Sequence, residues 1–261
     1  NRTSPFAFTG NKFEFRMLGS ASSIAMANTV LNAAVAETLC GFADILENAS
    51  DFENALHDLI KNEITAHKRI LFNGNGYDDA WVAEAEKRGL SNYRTLPDAV
   101  KHYLDPKNVE LFTKHHVYSE VEMRSRHEIF LEKYCKLLNI EYDTMSVMAK
   151  QDILPAVASY AADLASGIAA VEQAGGSAEF EKETLKEISS DMSSANSALK
   201  KLNALISDCD DIDDYEVLAD KIKDDVIPAM DELRSYCDKL ELETASDYWP
   251  FPTYGDLLFG V

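Results

Sequence analysis

Lys12, Glu14 and Arg16 alternate with Phe13, Phe15 and Met17 near the start of the chain. In an extended strand, successive side chains point to opposite faces, so the three ionic residues share one face and the three apolar ones the other. Spacing alone leaves two readings open. One is a sheet with a core face and a solvated face. The other is a polar pocket, in which Glu14 offers an oxygen to a hard cation and the flanking cations hold phosphate or carboxylate groups. Arg2 lies on the preceding run and reaches the same place if Phe6 to Thr9 pairs with Lys12 to Leu18 around a Gly10-Asn11 turn. The chemistry of such a pocket would be phosphoryl transfer, with positive groups neutralising charge on the moving phosphoryl.

Other stretches invite site readings and carry weaker patterns. "FNGNGY" (72–77) is glycine-rich but lacks the Lys-Ser/Thr of a phosphate loop, so it reads as a turn. His115-His116 has no convincing ligand spacing and reads as an exposed polar loop. "DCDDIDD" (208–214) lacks the Gly and closing Glu of a calcium loop and reads as a link into a helix N-terminus. Glu120, Glu122, Arg124, Arg126 and Glu128 read as a solvated helix face.

The elements around the first stretch are mostly helical. Ile24 to Leu46 is apolar on nearly all sides, which is the pattern of a buried helix. Asp51 caps a second helix. Asp78 to Arg88 is a short one with Gly89 past its end, Pro97 opens another, and Ser119 with Glu122 forms a capping-box pair. From Asp143 onward the apolar residues step by three and four. They run from Met145 to Val171, from Leu185 to Ile206, and from Tyr215 to Leu240. That is the seam of packed helices, and the short link at 208–214 implies an antiparallel pair. Pro155 and Pro228 fall inside these seams, in the similar contexts "QDILPAVASY" and "DDVIPAMDEL", and each should start or kink a helix. The aromatic tail "DYWPFPTYGDLLF" (247–259) is expected to pack back on the body.

The expected fold is therefore predominantly α. It has a short antiparallel β-hairpin at the N-terminus and a C-terminal antiparallel helical hairpin or bundle, with domains at 1–142 and 143–261.

Composition narrows the partners. The chain has 261 residues, with 25 Lys+Arg against 45 Asp+Glu for a net charge of −20. That balance disfavours nucleic acid and anionic membrane surfaces. No uninterrupted apolar run of about 18 residues is evident, so no membrane span is expected. The four cysteines form no CxxC pair and read as free thiols of a reducing, cytoplasmic compartment. A chain opening on Asn1 inside a strand reads as a piece of something longer.

"NRTSPFAFTGNKFEFRMLG" resembles the glutamine synthetase segment in which an Asn-Arg-Ser/Thr turn precedes a strand ending in Glu-x-Arg. "NTVLNAAVAE", "ILFNGNGYDDAWVAEAEKRGL", "LFTKHHVYSEVEMRSRHEIFLEKYCK" and the Trp-Pro-Phe-Pro tail resemble the type III subfamily. The resemblance implies an ATP-dependent glutamate–ammonia ligase with Mg²⁺ or Mn²⁺, working as a homo-oligomeric, dodecameric ring. The hairpin would then be a remnant of the α+β catalytic domain. By the same resemblance, Glu14 is a metal ligand and Arg16 holds the substrate glutamate. Arg2 contacts the transferred phosphoryl group and the substrate, and Lys12 faces the nucleotide phosphates. Ala7 stands near where many members carry a further nucleotide-contacting Arg, and Met26-Ala27 where they have Gly-Pro. The small β domain, the other metal ligands, the ammonium site and the flap would lie upstream of Asn1, leaving this chain inactive alone. The competing reading is a non-catalytic, acidic helical assembly module.

Overall fold

The computed structural model describes residues 6–8 and 13–15 along their backbone, and residues 23–76 and 78–259 in full. Two three-residue strands, β1 (Phe6–Phe8) and β2 (Phe13–Phe15), are followed by helices. These are α1 (Ala25–Glu47), α2 (Phe52–Ala66), α3 (Asp79–Lys87), α4 (Leu96–Val100), α5 (Pro106–Lys114), α6 (Glu120–Met148), α7 (Leu154–Gln173), α8 (Glu179–Cys209), α9 (Tyr215–Lys221), α10 (Ile227–Glu243) and α11 (Tyr254–Phe259).

The fold class is corrected to a helical one. An N-terminal hairpin standing as the remnant of an α+β domain would need a sheet for helices to cover. β1 and β2 pair antiparallel over three rungs (Phe6↔Phe15, Ala7↔Glu14, Phe8↔Phe13), and no third strand joins them among the described residues. A two-stranded ribbon of that length is not a stable layer in its own right.

The chain divides into two compact units. The first comprises residues 1–94 and 98–127, and the second residues 95–97 and 128–261.

Local signals set the helix ends in the first unit. The Asp51 carboxylate accepts the Asn54 amide at 3.1 Å, and the Asp78 carboxylate accepts that of Ala80 at 2.9 Å. Ser119 and Glu122 form the reciprocal capping box: the Ser119 amide donates to Glu122 Oε2 at 2.7 Å, and the Glu122 amide to Ser119 Oγ at 3.3 Å. The core is small. Ala33, Phe112 and Met123 are buried, with Tyr103, Val109 and Tyr118 packed around them.

One expectation fails here. α1 is apolar all round, yet Ala33 is its only buried residue, and Val35, Leu39 and Ile45 are each more than half exposed. α1 packs on α2 and α5 along one stripe. Its other faces meet no second layer among the described residues. Two helical runs, Ala25–Glu47 and Glu120–Gln173, are also long and apolar enough to cross a bilayer by length and composition, contrary to the reading of the bare sequence. In α1, however, Glu37 forms an ion pair with Lys114 and His115, which is a contact between helices packed on each other.

The second unit is built on α8, which packs against both α7 and α10. The seams predicted from spacing are the buried faces. On α8 they place Ile188, Ala195, Leu199 and Leu202 inside, on α7 Val157 and Ile168, and from α9 to α10 Ala219, Ile222, Val226, Ala229, Leu233 and Leu240. Burying each of the larger side chains contributes roughly 1.5–3 kcal/mol. Ser146 Oγ donates to Asn203 Oδ1 at 2.6 Å, fixing α6 against α8.

The prolines do not break these helices. Ala149–Ile153 and Ile222–Val226 are π-helical turns placed just before Pro155 and Pro228. Leu154 N–H reaches back to the Ala149 carbonyl and Ile227 N–H to that of Ile222, an i→i−5 bond in each case. A proline supplies no amide hydrogen and its ring crowds the carbonyl four residues earlier. A wider turn carries the backbone past that carbonyl. The tail packs back as expected: Trp249 and Phe251 lie on the cluster of Ile153, Val157, Ile188 and Leu240, and Tyr248 donates its hydroxyl to Asp163.

All four cysteines are free. Burial pushes the Cys135 and Cys237 thiols up to about 11 and raises that of Cys209.

Two outcomes are expected. Val35→Glu with Leu39→Glu lowers the fluorescence of the dye ANS bound to the chain, while stability changes by no more than about 0.5 kcal/mol, since both sites are exposed. Unchanged dye binding would show that the α1 face is covered. The second concerns Glu243. Burial, and then Asp191 and Glu187, raise its carboxyl above the usual range, and its Oε2 is buried without a partner. A raised carboxyl costs stability while it is charged, and that cost fades as pH falls through the raised value. Glu243→Gln therefore melts higher than the parent at neutral pH, and the gap narrows as pH falls.

Candidate functional site

Of the residues singled out from the sequence, Glu14 lies in β2 with its backbone opposite Ala7. Arg2, Lys12 and Arg16 lie outside the described residues. Among the described residues, no group of three or more His, Cys, Asp or Glu side chains is arranged to hold a metal ion.

The polar centre of the first unit is one the sequence did not disclose. Glu37, mid-way along α1, accepts from Lys114 Nζ and from His115 Nε2, each at 2.6 Å. The Lys114 hydrogen bond, then that of His115, holds the Glu37 carboxyl below the ordinary range, and the Lys114 ammonium is correspondingly raised. The reading of His115-His116 as an exposed loop is corrected for His115, whose side chain is 18% exposed and bonded to α1. The available signal was Glu37 itself, the first charge in a helix whose other two, Asp44 and Glu47, lie in its C-terminal end. Nearby, the Arg126 guanidinium lies 4.3 Å from the centre of the Tyr118 ring, and Tyr118 packs on Phe112. This cluster ties α1 to the end of α5.

Three helix ends, that of α5 beside this cluster among them, share one device. At the C-termini of α3, α5 and α7 the chain closes with the paired 6→1 and 5→2 amide bonds of a Schellman cap. For α5 these are Val117 N–H to the Phe112 carbonyl at 2.9 Å and His116 N–H to that of Thr113 at 3.1 Å. The cap requires a left-handed residue. Gly89 and Gly175 fill that position in α3 and α7, but His116 does so in α5, at φ 53°.

The remaining candidate motifs resolve as local structure. In the "FNGNGY" turn Phe72 stacks on Trp81 at 4.0 Å, and Arg88 donates to the Leu71 carbonyl at 2.9 Å. A Cβ at Gly74 would sit 2.6 Å from the Phe72 ring, so that glycine permits a ring contact. Asp214, at the end of the acidic link, accepts the amides of Glu216 and Val217 as an N-cap. Glu120 pairs with Arg124 on the solvated face expected for it.

Residues 55–172, which include α3 to α5, His115 and the Tyr118–Arg126 pair, match the glutamine synthetase C-terminal domain family. Along its whole length the chain is similar to glutamine synthetases. It is 35% identical to one from Butyrivibrio fibrisolvens, covering 100% of this chain and 38% of that protein. It is 34% identical to the type-3 glutamine synthetase of Dictyostelium discoideum, covering 99% of this chain and 36% of that protein. It is 32% identical to a glutamine synthetase from Bacteroides fragilis (strain YCH46), covering 99% and 37%. The chain thus spans little more than a third of the length of the curated relatives it matches.

The cap on α5 gives a test. A non-glycine residue held in the left-handed region costs about 1–2 kcal/mol. His116→Gly should therefore raise the stability of the chain by up to about 1 kcal/mol, measured by urea unfolding, whereas Gly89→Ala and Gly175→Ala lower it by a similar amount.

Proposed function

We propose that this chain supplies part of the active site of an ATP-dependent glutamate–ammonia ligase. In that reaction ATP phosphorylates the side-chain carboxylate of glutamate, and ammonia then displaces phosphate to give glutamine. The observation that carries the reading is the end-to-end similarity, at 32–35% identity, to three glutamine synthetases.

In this reading Arg16 pairs with the substrate glutamate, and Arg2 contacts the substrate and the transferred phosphoryl group. Lys12 faces the nucleotide phosphates. Positive groups in those positions would stabilise negative charge that grows as the phosphoryl group moves. Glu14 would give one oxygen to Mg²⁺ or Mn²⁺. Divalent cations of this kind require several oxygen ligands, and the described residues hold no such cluster, so they do not fit the metal by themselves. The remaining ligands, and the partner subunits of a homo-oligomeric ring, would come from outside the 261 residues. A reducing, cytoplasmic setting agrees with four unpaired thiols.

The test is kinetic. In the longer protein that contains this chain, Arg16→Gln should raise the KM for glutamate roughly ten- to a hundredfold while leaving that for ATP nearly unchanged. The isolated 261-residue chain should show no γ-glutamyl transferase activity. Normal turnover by the isolated chain, or an unaltered KM in the variant, would refute the assignment.

A further inference from the structure

The second unit contains a groove of about 900 Å³ that the ligase reading leaves unused. Its size falls at the upper end of small-molecule sites, roughly 300–1,000 Å³. Its walls are apolar: Met145 and Ile153 on one side, Ile227 and Met230 on another, and Trp249 and Phe251 from the tail. Both π turns border it, since Ala149 and Ile153 belong to the first and Ile227 follows the second. The two proline contexts that look alike in the sequence therefore come together around one opening. Wide turns of this type recur at functional sites, because they displace the backbone locally.

The rim is acidic, and its charges are not equally free. Arg234 donates to the Tyr254 hydroxyl at 2.7 Å and pairs with Asp238, while the Tyr254 hydroxyl in turn donates to Asp238 at 3.2 Å. Glu241 accepts the Tyr254 amide at 2.8 Å. Those contacts fix the tail over the groove and occupy its one cation. Glu141 and Asp231, which also line the groove, have no ion-pair or hydrogen-bond partner among the described residues. An apolar trough with two uncommitted carboxylates at its edge matches one kind of occupant.

We infer that this groove binds a small amphiphilic cation, with its hydrocarbon or aromatic body between the two π turns and its ammonium or guanidinium head against Glu141 and Asp231. A second copy of the chain is a poorer fit, because each copy carries a net charge of −20 and would bring more acid to an acidic rim.

The experiment uses the 261-residue chain carrying Trp81→Phe, which leaves Trp249 as the single tryptophan reporting from the groove wall. Decylamine, decanol and decanoate are titrated below their micelle concentrations at neutral pH while Trp249 emission and light scattering are followed. Decylamine is expected to give a saturable emission change, decanol a weaker one and decanoate none. Glu141→Gln with Asp231→Asn should weaken decylamine binding about fivefold without altering decanol binding. Thr144→Trp, a bulky side chain at an exposed lining position, should abolish both responses. The inference is overturned if no saturable change occurs, if decanoate matches decylamine, or if decylamine binding is unmoved by Thr144→Trp. It is equally overturned if light scattering reports a dimer that Thr144→Trp dissociates, which would make a second copy the occupant.

Discussion

The apolar stripe of α8 is the constraint on which the second unit rests. Ile188, Ala195 and Leu202 have no exposed surface, and the helices on either side of α8 bury their own stripes against it. The stripe is narrow because small residues, Ala195 and Ala198, alternate with large ones and let the neighbours approach. Much of what lies outward of it is polar: serines 189, 193, 194 and 197 return their hydroxyls to carbonyls of their own helix. The tail then closes over α7 and α10 with Trp249 and Phe251. The groove between the π turns exists because this packing holds the helices in register on both sides of each proline.

Much of this unit was legible in the residue order. The steps of three and four from Leu185 to Ile206 and from Tyr215 to Leu240 name the buried faces almost residue by residue, because a helix offers only one way to bury such a pattern. The caps at Asp51 and Ser119 were equally readable, since a short polar side chain before an apolar run has a backbone amide to satisfy. What the prolines do was not readable. Pro155 and Pro228 announce a disturbance, but whether a helix ends, bends or widens depends on packing several turns away, which the local sequence does not contain.

The first unit was harder to read for the opposite reason. α1 has the composition of a buried helix and is mostly exposed, so composition reported what the helix requires and not what this chain supplies. The charged strand shows the same limit. Alternation in Lys12–Arg16 is compatible with a solvated face or a pocket, and resemblance, not spacing, favoured the pocket. The lock that does join α1 to α5 came from Glu37, a residue with no motif around it.

The thiols divide unevenly. Cys135 and Cys209 are buried and Cys237 is half-buried, each with its ionisation suppressed, while Cys40 stands exposed on α1, one turn beyond Glu37 on the same helix face. Maleimide chemistry would therefore select one position out of four without any engineering. Because that position lies near Lys114 on the side of α1 that meets α5, its labelling rate becomes a gauge of that junction, changing when the Glu37 lock opens.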